Sequence, residues 1–460
     1  MSVSSASVAI IGGGVSGLAT AWFLHQAGCD VQLFESRTEA GGSILTSRHD
    51  AWLVEHGPNS TLQKPDSPDD GLGRLIASLG IEDQLIEANA AAAKRFVRRD
   101  GVMHSLPTSP PAFVKTPLFS VGGKLRLALE PLIGRASEEE SIAQFVRRRL
   151  GQEFLDYAIE PFVSGVYAGD PKTLSVRAAT AKIYALEEKY GSLIRGAIAM
   201  GKARKAAGMP AGRLVSFKQG MQSLPRAIAE KLPAGSAHLG AAVTALTPQS
   251  DGGWSIEWEQ QGQAHQVTAQ QVVLALPAPA AAKLVAGFAP AATQALEAIP
   301  YAPIISLALG FLKSQIDHPM DGFGFLLPRK ERIATLGALF NSTLFPERSD
   351  ERHALLTCFI GGAMNPGVVD WDDDDVIKQV TRDLDQCLGV RGDAVFGRLT
   401  RYQAAIPQYT LGHLSRIAAV NAALAPFAGL YTRANWRDGI SVADCVLHAE
   451  KCAHNLLATQ

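Results

Sequence analysis

The stretch Gly12-Gly13-Gly14-Val15-Ser16-Gly17 joins a short apolar run at residues 7–11 to a helical pattern at residues 15–26. The apolar run predicts a buried parallel strand, and residues 31–35 (VQLFE) predict a second strand after the helix. Strand, glycine-rich turn, helix and strand follow one another at the length of a βαβ unit. This arrangement predicts a dinucleotide-binding fold at the start of the chain.

Each glycine of the turn has a different task in such a fold. Gly12 permits the tight turn, Gly14 lets the backbone approach a pyrophosphate, and Gly17 lets helix and strand pack closely. The free N–H groups at the helix start attract the phosphates. Glu35 stands near the expected distance of about 20 residues further on, where a carboxylate accepts hydrogen bonds from the ribose hydroxyls.

Composition restricts the other classes of function. The 460 residues carry 47% hydrophobic and 19% charged residues, with a net charge of −1. These values predict two or three ordinary globular domains and give no electrostatic case for binding nucleic acid. The five cysteines are scattered without a CxxC pair, which argues against disulfides and a metal site and fits a reducing cytosol.

The sequence also bears on location. Residues 1–7 are polar and lack the pattern of a secretory signal, and no run of about 18 uncharged apolar residues predicts a spanning helix. We therefore expect a cytoplasmic protein. Residues 110–133 are apolar with a few basic residues, and they predict either a buried helical hairpin or a surface that faces a membrane, with the hairpin favoured.

Strand-like and helix-like stretches interleave along the rest of the chain. Strands are predicted at 254–258, 271–276, 304–312 and 354–360, helices at 141–150, 153–159, 175–208 and 440–457, and a loop at 429–432. The expected fold class is α/β (α+β), with a Rossmann-like dinucleotide domain that is interrupted by a helical insertion and a mixed-sheet domain.

The residues after Glu35 favour one dinucleotide. Gly41-Gly42 follows the second strand, where flavoproteins of the amine oxidase superfamily carry a Gly-Gly motif against the pyrophosphate of FAD. This resemblance implies non-covalent FAD. Many members have an arginine next, whereas this chain has Ser43, so backbone dipoles or Arg37 would have to neutralise the phosphates.

Later segments resemble the protoporphyrinogen oxidase family over nearly the whole chain. They are 55–60 (EHGPNS), 160–175 (EPFVSGVYAGDPKTLS), 217–225 (FKQGMQSLP), 335–346 (TLGALFNSTLFP) and 435–445 (NWRDGISVADC). Of these, the 160–175 segment is the specific one.

The resemblance implies a set of FAD contacts along the chain. The expected contacts are Gly12, Gly13, Gly14, Val15, Ser16 and Gly17 at the pyrophosphate, Glu35 and Ser36 at the adenosine, Gly41, Gly42 and Ser43, then Gly57, Pro58, Asn59 and Ser60 beside the flavin, Val243 at the adenine, and Asn435, Ile440, Ser441 and Val442 at the pyrimidine ring. A helix N-terminus at that ring would stabilise the negative charge of the reduced flavin.

For the substrate, the resemblance implies that Arg95 pairs with a propionate and that Leu326, Leu339 and Phe359 sandwich the macrocycle. Gly165 would bring main chain close to the ring. Arg95 could instead be a surface arginine among Lys94, Arg98 and Arg99, and His56 is expected to make a structural hydrogen bond.

The implied reaction is the oxidation of protoporphyrinogen IX to protoporphyrin IX in three two-electron steps. Hydride would pass from a ring carbon to flavin N5, and dioxygen would reoxidise the flavin and yield hydrogen peroxide. A coproporphyrinogen oxidase, an amine oxidase or carotenoid desaturase, and a non-catalytic FAD- or porphyrin-binding protein are the alternatives. No residue is predicted to be a catalytic acid or base.

The expected domain parts are 1–88, 213–290 and 405–460 for FAD, 89–212 for a mostly helical insertion, and 291–404 for substrate binding. The expected partners are the porphyrinogen and dioxygen. Peripheral contact with the inner face of the cell membrane, a homodimer and contact with ferrochelatase stay open.

Overall fold

The computed structural model describes residues 4–206, 211–250 and 252–458. The strands are β1 (Ser4–Ile11), β2 (Val31–Glu35), β3 (Thr46–His49), β4 (Trp52–Glu55), β5 (Thr61–Gln63), β6 (Leu85–Glu87), β7 (Phe96–Arg99), β8 (Val102–Ser105), β9 (Arg213–Phe217), β10 (Ala237–Leu239), β11 (Ala241–Pro248), β12 (Trp254–Gln260), β13 (Gln263–Leu274), β14 (Tyr301–Leu312), β15 (Gly324–Leu326), β16 (Thr335–Phe340), β17 (His353–Gly361), β18 (Phe396–Pro407) and β19 (Leu430–Thr432). The helices are α1 (Val15–Gln26), α2 (Gly71–Leu79), α3 (Pro110–Lys115), α4 (Val121–Ala128), α5 (Ile142–Arg149), α6 (Gln152–Phe154), α7 (Glu160–Tyr167), α8 (Val176–Ala179), α9 (Ala181–Tyr190), α10 (Leu193–Ala206), α11 (Ser223–Lys231), α12 (Ala278–Val285), α13 (Pro290–Glu297), α14 (Asn341–Leu344), α15 (Asp373–Leu388), α16 (His413–Leu424), α17 (Asn435–Asp438) and α18 (Val442–Leu457).

The first sheet has the order β10-β2-β1-β13-β12-β11, and β19 also pairs with β13. Its central strand β1 is parallel to both β2 and β13. Apolar residues stand on both faces of β1: Val8 and Ile10 enter a core with α1 and α18, whereas Ala9 and Ile11 enter a core with α12 and α13. Cover on both faces explains why this strand is a continuous apolar run. The α/β fold class is therefore confirmed.

The second sheet has the order β18-β14-β17-β16-β15-β7-β8. One face packs Ile305, Leu307 and Leu309 against α15 in a buried core. We call the other face the open face, because it carries Leu326, Leu339 and Phe359, whose large side chains are only partly buried. Strands β7 and β8 come from the 89–212 stretch that the sequence predicts to be mostly helical.

Helices α3 to α10 form most of that insertion. The 175–208 stretch, predicted as helical, contains α8, α9 and α10 up to residue 206, and residues 207 and 208 lie outside the described part. Arg149 is fully buried among these helices and pairs with Glu130 at 3.1 Å and with Glu187. Removing one partner of such a buried pair typically costs about 3–5 kcal/mol, so the network fixes how these helices pack.

Two sequence-based expectations are wrong. Residues 429–432, expected as a loop, contain β19, because their backbone pairs with β13. The buried hairpin at 110–133 does not form, since α3 and α4 leave Val114 70% and Val121 74% exposed. Leu125, Leu129 and Leu132 are exposed as well. Among the described residues, the helices are all too short or too polar to cross a membrane.

Candidate flavin and substrate site

The conformation of the glycine-rich turn at residues 12–17 requires the absence of side chains at Gly12 and Gly17. Gly12 has φ +113°, and a Cβ added there would lie 2.6 Å from the Ala275 carbonyl oxygen. A Cβ at Gly17 would lie 2.0 Å from the carbonyl oxygen of Gly12, so α1 could not pack on the turn. Gly14 differs, because a Cβ there would meet nothing within 4 Å. Open space therefore stands in front of the α1 N-terminus, with its unpaired N–H groups.

Glu35 connects this turn to the end of β2. Its buried carboxylate accepts hydrogen bonds from the N–H of Gly13 at 2.6 Å and of Arg37 at 2.8 Å. The hydroxyl of Ser36 also donates to it at 3.3 Å. A carboxylate has about four acceptor positions, so these bonds leave capacity for a ribose hydroxyl.

The Gly41-Gly42 pair lies directly on the glycine-rich turn. The Gly41 N–H donates to the Gly13 carbonyl at 2.8 Å, and a Cβ on Gly42 would come within 3.2 Å of the Gly14 Cα. The Arg37 guanidinium donates to the Gly42 carbonyl at 2.8 Å. Two glycine motifs and one cation therefore meet where the sequence predicts a pyrophosphate.

Residues 56–60 form a loop that crosses the open face of the second sheet. His56 Nδ1 is 2.7 Å from the Thr400 hydroxyl on β18. Asn59 Oδ1 accepts from Asn341 at 2.5 Å and from Thr357 on β17 at 3.2 Å. The two ends of the loop are therefore anchored on two different strands, with β14 between them.

The loop also packs against the segment after the Gly-Gly pair. A Cβ added at Gly57 would lie 2.0 Å from the Ser43 carbonyl oxygen, so only glycine allows this approach. Pro58 and Ser60 are partly exposed beside it. The predicted flavin-side residues therefore form one continuous wall that runs from the glycine-rich turn to the open face.

The three predicted macrocycle residues share the open face. Leu326, Gly337 and Phe359 are direct neighbours across β15, β16 and β17, and Leu339 follows two residues after Gly337. All three large side chains are partly buried. A Cβ on Gly337 would lie 2.4 Å from the Phe325 carbonyl oxygen and 3.2 Å from Leu326 Cδ2, so Leu326 packs directly beside this glycine. The result is an apolar strip across three strands.

Gly165 on α7 covers one end of this strip. A Cβ added at Gly165 would lie 2.4 Å from Leu326 Cδ2. The helix and the strip are therefore in contact.

Arg95 immediately precedes β7, the strand that pairs with β15. Its guanidinium carbon is 4.9 Å from the centre of the Phe323 ring. Phe323 and Leu339 pack together on Leu344 and Phe345, so Arg95 stands beside the apolar strip. Arg95 is exposed and has no carboxylate partner among the residues that the structure describes.

The neighbouring cations behave differently. Lys94 pairs with Asp321, Arg98 with Glu331 at 3.4 Å, and Arg99 with Glu153 at 2.6 Å. These three charges are neutralised within the protein, which leaves Arg95 as the cation of this group that can meet an added carboxylate.

The chain end returns to the glycine-rich turn through α18, which packs on α1. Ser441 caps α18 by accepting the Asp444 N–H at 3.1 Å, and Val442 begins the helix. Before it, the Tyr409 hydroxyl donates to the Asn435 carbonyl and accepts the Gly439 N–H at 3.0 Å. Tyr409 thereby fixes the turn that contains Ile440.

Val243 lies on the edge strand β11, at an irregularity in its pairing with β12. The N–H of Gly240, just before this strand, donates to the Arg37 carbonyl at 2.7 Å. Val243 is thus on a segment that is tied to the Glu35 end of β2, where the adenosine is expected.

Sequence reasoning missed several polar groups of the site. Thr357 and Thr400 anchor the 56–60 loop, and Tyr409 holds the turn before α18. Tyr402, two residues after Thr400 on β18, has a buried hydroxyl without a partner in the described structure. Burial raises the pKa of this Tyr402 phenol, and Arg37 lies near enough to oppose the rise. No local motif marks these residues, because their partners are distant in sequence.

The site fits FAD on two independent observations. The space before Gly14 accepts a phosphate at a helix N-terminus. A group bound near Arg37 would supply the hydrogen-bond partner that the buried Tyr402 hydroxyl lacks in the described structure.

Comparison with known proteins agrees with this geometry. A match to the family described as flavin containing amine oxidoreductase spans residues 15–457. A chloroplastic protoporphyrinogen oxidase from Oryza sativa is 34% identical over 98% of this chain and 88% of its own length. A coproporphyrinogen III oxidase from Bacillus subtilis is 29% identical, with 97% of each chain covered.

The structural comparison covers the whole chain as well. The crystal structure of a candidate protoporphyrinogen oxidase from Exiguobacterium sp. 255-15 superposes with a TM-score of 0.82 at 25% identity, and all of both chains is covered. The chain therefore belongs to the flavin-containing amine oxidoreductase family, and it is an oxidoreductase whose cofactor is FAD.

Proposed function

We propose that this protein oxidises protoporphyrinogen IX to protoporphyrin IX, with dioxygen as the electron acceptor and hydrogen peroxide as the second product. The observation that carries the proposal is the position of Arg95, an unpaired guanidinium beside an apolar strip. A porphyrinogen with propionates on one side presents the matching surface, an apolar macrocycle with carboxylates at one edge. A guanidinium binds such a carboxylate through two parallel hydrogen bonds.

The position of each residue in the site determines its role in binding the substrate. Arg95 binds a propionate and fixes the orientation of the ring. Leu326, Leu339 and Phe359 exclude water from one face, and Gly165 lets α7 approach it. When bound, the flavin supplies the two-electron redox chemistry of each step. The 56–60 loop lies between this strip and the glycine-rich turn, which is where substrate and cofactor would have to meet.

The principal rival is coproporphyrinogen III, the substrate in the name of the Bacillus subtilis relative. That molecule carries four propionates, so its binding calls for several free cations. Lys94, Arg98 and Arg99, which the sequence offers for this purpose, are already paired with carboxylates. The pairing favours the substrate with two propionates.

Anaerobic mixing of the purified flavoprotein with each porphyrinogen tests the proposal. We expect protoporphyrinogen IX to bleach the flavin faster than coproporphyrinogen III, and admission of air to restore the flavin and release hydrogen peroxide. Faster bleaching by coproporphyrinogen would assign the rival substrate. Bleaching by a primary amine alone would point to an amine oxidase, and no bleaching at all would point to a non-catalytic binding protein.

We also propose that α3 and α4 contact a membrane surface at its periphery. Val114 on α3 and Val121 and Leu125 on α4 are more than half exposed, as is Leu132 just after α4, and Lys115 is exposed in the same segment. Exposed apolar side chains beside basic ones suit an anionic lipid surface. Flotation with anionic vesicles tests this: the wild type should float, and a Val121→Ser, Leu125→Ser double variant should not. Equal flotation of both proteins would refute the contact.

A further inference from the structure

Four side chains form an unbroken hydrogen-bonded chain that leads from the open face to the outer end of β3. Thr400 Oγ1 is 2.7 Å from His56 Nδ1, His56 Nε2 is 2.8 Å from Ser47 Oγ, and Ser47 Oγ is 2.9 Å from His49 Nε2. His49 is partly exposed and precedes the exposed Asp50. The chain therefore connects the interior of the site with solvent.

Each group in this chain is able both to donate and to accept a hydrogen bond. A hydroxyl has one donor and two acceptor positions, and a neutral imidazole has one of each. All three contacts can therefore point the same way: Thr400 donates to His56, His56 to Ser47, and Ser47 to His49. This is the arrangement that lets a proton pass along a series of groups without any of them moving far.

The inner end of the chain lies close to the proposed substrate strip. Thr400 pairs with Ser306, and Ser306 pairs with Phe359, so Thr400 and Phe359 share the open face two strands apart. At the spacing of β-strands this separation is roughly 10 Å. The 56–60 loop passes between them, with His56 bonded to Thr400 and Asn59 bonded to Thr357 beside Phe359.

The surroundings of His56 favour its neutral ring. Burial lowers the pKa of His56 most, and the electrostatic effects of Arg398 on β18 and of His49 on β3 lower it further. A neutral ring can accept a proton at Nδ1 while it donates one from Nε2, whereas a protonated ring could only donate.

We propose that Thr400, His56, Ser47 and His49 conduct the proton that the substrate loses in each oxidation step from the open face to solvent. The proposal rests on the proposed function. In each step one C–H bond of a bridging carbon would break, with the bound flavin as the hydride acceptor, and one proton leaves the ring system. Two of the three protons come from pyrrole N–H bonds, whose electron pairs stay in the ring system. The third comes from the fourth bridging carbon by tautomerisation through a pyrrole nitrogen, and the electron pair of that C–H bond also stays in the ring system. Each proton enters the chain at the Thr400 hydroxyl. Thr400 passes its own proton to His56, His56 passes one to Ser47, and the last leaves from His49.

Anaerobic rapid mixing with protoporphyrinogen IX and a pH-indicator dye follows flavin bleaching and proton release in the same sample. In the wild-type holoenzyme the two signals should coincide. Thr400→Val and Ser47→Ala each remove a hydroxyl with little change of shape, and in them proton release should fall about tenfold or more, because positioned proton transfer is lost. Thr400→Ser keeps the hydroxyl and should behave as wild type, and so should His25→Gln, which changes a histidine at the far end of α1.

A second measurement needs no substrate. In the resting holoenzyme, Ser47→Ala should shift the ring nitrogen NMR signals of both His49 and His56, and His49→Gln should raise the pKa of His56 by removing one of the groups that lower it. His25→Gln should change neither.

The outcomes separate the two proposals. If Thr400→Val and Ser47→Ala release protons as fast as wild type, the proton path is wrong while the proposed function stands. If neither histidine signal responds to Ser47→Ala, the chain is not connected and the path is also wrong. If no porphyrinogen bleaches the wild-type flavin, the proposed function fails, and the path loses the substrate proton on which it rests.

Discussion

Gly165 and Leu326 approach so closely that a single methyl group on the glycine would lie 2.4 Å from the Leu326 Cδ2 atom. The contact joins α7, the most distinctive segment of the sequence, to the apolar strip of the open face. Because real Cβ atoms do not come this close, either the helix or Leu326 would have to move.

Gly165→Ala should therefore lower kcat/KM for the porphyrinogen by roughly 10- to 100-fold, since small misplacements near the reacting atoms have effects of this size. Flavin content should not change, because the glycine-rich turn is untouched. Gly201→Ala on α10 is the matched control: a Cβ there meets nothing within 4 Å, and it should stabilise the fold by about 0.4–1 kcal/mol. Equal kcat/KM for the two variants would contradict the placement of Gly165.

Gly14→Ala should weaken FAD binding, whereas Gly17→Ala should destabilise the fold. The methyl of Gly14→Ala enters the open space before α1, so the apoprotein should unfold as wild type does while FAD is retained poorly. The methyl of Gly17→Ala would lie 2.0 Å from the Gly12 carbonyl oxygen, so the fold itself should lose about 1–3 kcal/mol. Bound flavin per chain and the thermal unfolding of the apoproteins distinguish the two effects. A fully flavinated Gly14→Ala protein would show that the phosphates do not lie at this turn.

Arg95→Gln should raise KM for the porphyrinogen by about 10- to 150-fold, which corresponds to the loss of a charged hydrogen bond of about 1.5–3 kcal/mol. Lys94→Gln removes only an exposed ion pair with Asp321 and should have a much smaller effect. The dimethyl ester of the substrate provides a further check, because wild type should discriminate against it and Arg95→Gln should not. Equal discrimination by both proteins would place the propionate elsewhere.

The parts of this site that the sequence predicts are those made by local motifs. The turn at residues 12–17, Glu35 and the Gly41-Gly42 pair lie within 31 residues of one another, and each has a recognisable residue type at a recognisable spacing. Their mutual contacts in the structure follow from that spacing. The apolar strip could be predicted only through resemblance, because Leu326, Leu339 and Phe359 do not differ in pattern from core residues.

Long-range polar partners could not be predicted. His56 meets Thr400 across 344 positions and Asn59 meets Thr357 across 298, and neither threonine lies in a motif. The absence of a carboxylate partner for Arg95 could likewise not be predicted from the sequence, because it depends on which carboxylates pair with Lys94, Arg98 and Arg99. Strand β19 was predicted as a loop because three residues are too short to show a period, and only pairing with β13 makes them a strand.

Stability should depend on pH through His413, which is fully buried on α16. Its ring stacks on Tyr409 with centroids 4.2 Å apart, and its Nε2 lies 2.9 Å from the Trp436 carbonyl oxygen. Burial lowers the pKa of His413 to about 4, so the folded protein holds this ring neutral while the unfolded chain binds a proton near pH 6.5. The unfolded state therefore binds more protons at acid pH, and the stability from the neutral ring is full above about pH 6.5 and declines as the pH falls towards 4.

The free energy of unfolding should drop by at most roughly 3 kcal/mol over this interval, as denaturant titrations at several pH values would measure. In His413→Gln this part of the slope should vanish, because glutamine does not titrate. If the free energy of unfolding of His413→Gln depended on pH as that of the wild type does, a group other than His413 would be the one protonated on unfolding.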